Sequence, residues 1–286
     1  MSRLRCARLA LAALLAVGAL AAGCGGGGEA DGGAAGDDEP VHVHGLGVNP
    51  ADGALYIATH TGLFRMERGA QSAERVGDRH QDTMGFTVVG PDHFLGSGHP
   101  DLRDDLPPLL GLIESTDAGR RWRPVSLLGE ADFHTLRADG RDVLGYNATD
   151  GWLLRSSDGG RTWTGVRPPA PLADVVIHPE RPERLVAAGK DGLIGSADGG
   201  RTWRALQGTA VALAWPAADA LYAFAEDGGA RVSRDGGGSW ATLGTLPGSP
   251  AAVTPVDRDG LVVALHEGGF VNTADGGRRW SEGVWP

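Results

Sequence analysis

Histidine and aspartate are the residues of this chain whose types and spacing offer chemistry. Seven of the nine histidines fall between residues 42 and 134. His42 and His44 stand at a spacing of two, which on a regular strand points both rings the same way. His60, His99 and His134 follow, with Asp82 and Met84 between them. Imidazoles and a thioether brought together suit Cu or Zn, with a carboxylate such as Asp82 as a hard ligand or as the partner that orients a ligating ring. The same histidines also suit the polar lining of a wet channel. The ligands would come from separate segments, unlike a local pair on one helix, so this chemistry requires a fold that closes on itself.

A second concentration is Pro100 to Leu110 (PDLRDDLPPLL), which carries Asp101, Arg103, Asp104 and Asp105. With Asp82, these carboxylates are candidates for the acid and base of a glycoside hydrolase, Glu226 and Glu267 being further ones. The bland reading of the segment is a solvated acidic loop. There is no G-x-S-x-G, no P-loop, no G-x-G-x-x-G opening a helix and no H-E-x-x-H.

The elements that must position these residues are short strands. The 286 residues include 47 Gly and 17 Pro and are 41% hydrophobic, which disfavours both global disorder and an all-helical fold. A formal charge of −10 argues against a nucleic-acid partner, which would call for a concentrated basic face.

Residues 1–23 read as a secretory signal, with Arg3, Arg5 and Arg8 ahead of an apolar run too short to span a membrane comfortably. The ending Leu20-Ala21-Ala22-Gly23-Cys24 resembles the lipobox of bacterial lipoproteins. That resemblance implies cleavage before Cys24, a diacylglyceryl anchor on its thiol and attachment to the outer face of the cell membrane. Residues 24–40 form a Gly-rich acidic tether, and residues 41–286 the folded domain. Cys6 leaves with the signal, so the mature domain has no disulfide.

From residue 115 one phrase recurs five times. It places Ser115, Asp117 and Trp122; Ser156, Asp158 and Trp163; Ser196, Asp198 and Trp203; Ser233, Asp235 and Trp240; and Thr273, Asp275 and Trp280 at matching positions. A period of about 40 residues in a strand-rich chain is the length of one four-stranded propeller blade. The phrase S-x-D-x-G-x-T-W resembles the Asp-box, or BNR repeat, of sialidases and sortilin-like receptors. In those families the turn lies between the third and fourth strands at the blade periphery, so the repeated aspartates are expected to be structural.

Six units over residues 41–286 give a six-bladed, all-β propeller of antiparallel blades; seven blades would require splitting the second. Gly62 to Glu67 takes the third-strand slot of a first blade that lacks the phrase. The inner strands are expected at 41–48, 85–89, 133–138, 173–177, 211–215 and 251–255. The last strand is expected at 279–285, so that the ring closes by packing between blades one and six without a shared strand. Function then collects on the rim where inner strands begin. His42, His44, His60, His80, Asp82, Met84, His99, His134 and His266 map to that rim, and His93 and His178 to the other.

The N-terminal third is similar to exported bacterial Asp-box proteins labelled glycosyl hydrolase or exo-α-sialidase. A sialidase activity is disfavoured: the Arg-Ile-Pro signature is absent, and Tyr56, Tyr146 and Tyr222 fall in second strands. The sequence favours an envelope binding or scaffold protein for a metal, small molecule, glycan or envelope protein. A glycosyl hydrolase and a complex-assembly factor are the competing readings.

Overall fold

The computed structural model describes Pro40 and residues 42–283. The signal segment, Cys24 and all of the tether but Pro40 lie outside the described residues. Twenty-four strands form six four-stranded antiparallel sheets, each of four consecutive strands paired in order. Blade one is β1 (Val43–Val48), β2 (Leu55–Thr59), β3 (Gly62–Met66) and β4 (Glu74–Arg75). Blade two is β5 (Asp82–Gly90), β6 (His93–His99), β7 (Leu112–Ser115) and β8 (Arg123–Ser126). Blade three is β9 (Phe133–Asp139), β10 (Asp142–Asn147), β11 (Trp152–Ser156) and β12 (Thr164–Val166). Blade four is β13 (Leu172–His178), β14 (Arg181–Gly189), β15 (Gly192–Ser196) and β16 (Arg204–Ala205). Blade five is β17 (Ala212–Ala217), β18 (Ala220–Phe224), β19 (Gly229–Ser233) and β20 (Ala241–Thr245). Blade six is β21 (Pro250–Pro255), β22 (Leu261–Leu265), β23 (Phe270–Thr273) and β24 (Ser281–Glu282). The fold is a six-bladed β-propeller, and the insertion in blade two remains a loop between β6 and β7.

The second strands show why the chain stacks its sheets. β2 and β18 are buried at every position, so they read as continuous apolar runs and not as an alternation. The core is six separate clusters, one at each contact between neighbouring blades. Trp122, Trp163, Trp203, Trp240 and Trp280 each pack into the cluster their own blade shares with the preceding one.

The repeated phrase builds the turn that sets each tryptophan. In blade three, Ser156 Oγ donates to Asp158 Oδ1 at 2.7 Å and accepts from Gly160 N at 2.8 Å. Asp158 Oδ1 accepts from Thr162 N at 3.0 Å and Oδ2 from Thr162 Oγ1 at 2.7 Å. The hydroxyl-to-aspartate and glycine-to-hydroxyl bonds recur at Ser115, Ser196, Ser233 and Thr273. Gly160 has a φ of 83°, and a Cβ there would stand 2.0 Å from Leu112 of blade two. Only glycine meets both demands, so this turn also fastens one blade to the one before it.

Blade one lacks the phrase, and its contact with blade six differs accordingly. There Leu46, Leu55, Ile57, Phe64, Met66, Ala252, Val262 and Ala264 form the cluster, with Ala70, Ala73 and Phe270 packed against it and no tryptophan among the described residues. The outer strand of blade six, expected at 279–285, is the shorter β24 and pairs with β23 of its own blade. The ring therefore closes by side-chain packing of blade one on blade six, as the repeat count implies.

Two inner strands start more than one residue from expectation, while the other bounds shift by at most two. β1 starts at Val43, which leaves His42 outside the strand with a φ of 53°, in the left-handed region. β5 starts at Asp82, three residues ahead of Gly85. Both differences lie at one rim.

Candidate metal centre

At that rim the inner strands begin with an unpaired residue. In blade one the ladder passes from Val43↔Thr59 to Gly45↔Ala58, leaving His44 as a bulge. The same slip leaves Met84, His134, Ala173 and Ala251 unpaired in blades two, three, four and six. In blade five, Phe224 O accepts from Val211 N although Phe224 pairs with Ala212. A bulge bends its strand and re-aims the extra side chain. Two residues ahead of these positions stand His42, Asp82 and Asp132 in blades one to three, but Pro171, Thr209 and Ser249 in blades four to six.

The bulges and the ends of the second strands gather five imidazoles and two carboxylates. The His44 and His60 rings lie edge to face with centroids 4.2 Å apart, and His42 is 5.4 Å from His60. Asp82 Oδ1 lies 2.9 Å from His60 Nδ1 and 3.9 Å from His44 Nε2, and its Oδ2 lies 3.2 Å from His99 Nδ1. Beyond His99, whose Nε2 is 3.8 Å from Asp132 Oδ2, that same oxygen lies 2.8 Å from His134 Nε2. The chain of contacts thus runs across three blades.

Two atoms in it are left over. His44 Nε2 and Asp132 Oδ1 are buried and make no hydrogen bond among the described residues. At 3.9 Å the approach of Asp82 to His44 is too long for one. Burial, reinforced by the neighbouring His60, lowers the His44 pKa to about 4, so this imidazole is neutral at pH 7. The hydrogen bond that His134 Nε2 makes to Asp132 raises the His134 pKa instead. A buried polar atom without a partner is costly, and two in one network call for a missing partner.

His44, His60 and Asp82 each offer a ligand atom, all within 4.8 Å of one another. Zinc ligands about 2.1 Å from an ion stand about 3.4 Å apart in a tetrahedron. The observed separations of 2.9 and 3.9 Å bracket that value. Two imidazoles and one carboxylate suit Zn or Cu and leave at least one position open.

Of the residues singled out from the sequence, His42, His44, His60, Asp82, His99 and His134 come together. Met84 fills the blade-two slot, half-buried, without lining the small cavity of about 60 Å³ that His44 and His134 border. His80 is exposed, and its backbone N–H donates to Asp101. His266, Glu226 and Glu267 stand exposed on blades five and six, outside the network.

The acidic loop is built differently from the open carboxylate cluster its composition suggests. Asp101 is buried and takes hydrogen bonds from the Arg103 guanidinium, which hold its carboxyl well below the usual range. Asp104 is paired with Arg79, and Asp105 is exposed. Asp101 and Asp104 thus shape the loop and are spoken for as acid or base. On the far rim, His93 bonds Glu114 at 2.7 Å and the His178 ring lies tilted against Trp215, with centroids 4.8 Å apart.

Asp132 is the residue that composition and spacing missed. The signal that could have found it is its place two residues before a bulge, matching Asp82 and His42.

No family model matches the chain, and no curated protein matches it. Among solved structures it is similar to the GH74 xyloglucanase from Xanthomonas campestris, with 19% identity and a TM-score of 0.56 over 86% of this chain. A GH74 enzyme from Niastella koreensis gives 16% identity and a TM-score of 0.59 over the same share. The chain spans 45% of each of those two proteins. YCF48 from Cyanidioschyzon merolae is 15% identical with a TM-score of 0.52, over 86% of this chain and 85% of that one. At these identities the likeness is one of fold.

Proposed function

We propose that this chain is an exported, lipid-anchored Asp-box propeller that binds one transition-metal ion, Zn or Cu, at the rim of blades one to three. The observation that carries the reading is the buried, neutral, unpartnered Nε2 of His44, in ligand reach of His60 and Asp82. Those three residues would hold the ion. His99, Asp132 and His134 would orient Asp82 and supply hydrogen bonds around it. The ion would bring an open position for a water or a small polar ligand.

Elemental analysis of the purified mature protein, loaded with Zn or Cu and desalted, tests this. One equivalent is expected in the wild type and none in His44→Ala/His60→Ala of unchanged circular dichroism. A wild-type protein that retains no metal sinks the proposal. For the anchor, Cys24→Ser is expected to move the protein from the detergent phase to the aqueous phase.

A second reading is a glycoside hydrolase, favoured by the position of Asp82 and Asp132 on either side of His99. Release of chromophore from aryl glycosides, abolished by Asp82→Asn in metal-free protein, would support this reading over the first.

A further inference from the structure

The central channel holds a second feature, which rests on none of the metal chemistry. Towards the rim opposite the histidines it widens into a cavity of about 410 Å³. Its walls come from the far ends of the inner strands and include Val48, Val88, Ile177, Trp215, Val253 and Pro255. Thr87, Thr254, Asp139 and Arg137 line it too, so apolar walls alternate with polar groups. A concave space of a few hundred Å³ that combines the two is the usual form of a small-molecule site.

One of these polar groups reaches through to the inner end of the cavity. Arg137 of β9 lines both the large cavity and the small one behind the histidines. Its Nη2 donates to Asp174 Oδ1 at 2.6 Å and its Nη1 to Leu136 O at 3.1 Å. Asp174 also accepts from Val175 N on Oδ1 and Leu213 N on Oδ2, each at 2.8 Å. This buried carboxylate therefore ties blades three, four and five together and has little capacity left. Arg137 differs: its side chain is 30% exposed, and its Nε has no partner among the described residues. A guanidinium has five N–H donors in a fixed fork, so the cavity ends at donors held in place and not fully used.

We propose that the far half of the channel binds a compact amphipathic molecule that lays its apolar part on the valine, isoleucine and tryptophan walls and presents one oxygen-acceptor group to Arg137. The apolar body would displace water from the ring of valine, isoleucine and tryptophan side chains, where burial is favourable. The acceptor would complete the guanidinium fork through charge-assisted hydrogen bonds, which fixes the ligand's direction along the channel axis.

Two fluorescent probes test this in the mature protein: anilinonaphthalene sulfonate, which has the acceptor, and phenylnaphthylamine, which is neutral and lacks it. The wild type is expected to bind the sulfonate probe saturably at one site, with energy transfer from tryptophan, and the neutral probe is expected to displace it. Val253→Trp fills the cavity from its wall and should weaken both probes at least about tenfold. Arg137→Gln should weaken only the sulfonate probe, again by about tenfold, in protein with a wild-type near-ultraviolet circular dichroism spectrum. Because Arg137→Gln also strips Asp174 of its cation, Val253→Trp and the displacement experiment test the cavity without disturbing that pair. No saturable binding by the wild type, or undiminished binding by Val253→Trp, overturns the site. Equal weakening of both probes by Arg137→Gln overturns the role of the fork.

Discussion

Blades one to three and blades four to six share one backbone and differ in what they place on it. The bulged slot holds His44, Met84 and His134 in the first half and Ala173, Val211 and Ala251 in the second. The position two residues earlier holds His42, Asp82 and Asp132 against Pro171, Thr209 and Ser249. The turns and tryptophans that fasten blades together ignore this division: they recur in blades two to six. Stability is thus shared between the two halves, and the histidine–carboxylate network is confined to one of them. A repeat fold allows this because each blade contributes its rim residues without altering the contacts that hold it.

The comparison is sharpened most by removing the carboxylate that three histidines share. Asp82→Ala is expected to lower metal affinity at least about 100-fold, while Thr209→Ala, at the matching slot of blade five, leaves it unchanged. Isothermal titration with Zn, after removal of bound metal, reads both. Next come the fastening glycines. Gly160→Ala in the first half and Gly277→Ala in the second both put a Cβ at positive φ against a leucine of the preceding blade. Each should cost about 2–4 kcal/mol in denaturant unfolding and leave metal stoichiometry untouched. A large cost in one half only would break the claim that the two halves share stability.

A smaller effect is expected of Asp132→Asn. It retains the shape of the side chain but loses the charge beside His134, so metal affinity should fall about tenfold. The His134 pKa should drop back towards its ordinary value, which nuclear magnetic resonance of the ring protons can follow. The smallest effect concerns acid. Hydrogen bonds from the Thr202 side chain and backbone hold Asp198 at a pKa of about 2, below its ordinary 3.8. The unfolded chain takes up this proton first, so the stabilisation is complete above pH 3.8 and is lost as pH falls through about 2. Asp198→Asn should flatten this part of the profile of urea midpoint against pH. Parallel profiles for wild type and variant would count against it.

The blade count was legible because five tryptophans at regular spacing report on local turns, each written within eight residues. The histidines of the rim were legible for a related reason: the ladder fixes which ends of which strands share a face. Asp132 was not, since its role depends on a register slip opposite Asn147 and on His99 arriving from another blade. The acidic loop misled for the opposite reason. Its partners include Arg79, Asp78 and the backbone of His80, more than twenty positions up the chain, and no local spacing announces them. His42 keeps its ring near His60 although it sits outside the strand, so the argument from alternation reached the right neighbour through the wrong backbone.

The join between the first and last blades now acquires a meaning for how the molecule moves. Five of the six joints are riveted by an indole and a tight glycine turn; the sixth, an aliphatic cluster around Leu55, Ile57, Phe64 and Val262, has neither among the described residues. Breathing of the ring should therefore begin there, with amide exchange along the first and last inner strands faster than along those of blades three and four. The imidazole network spans blades one to three and never crosses that joint. The hoop can slacken at its weakest point without pulling the proposed ligands apart.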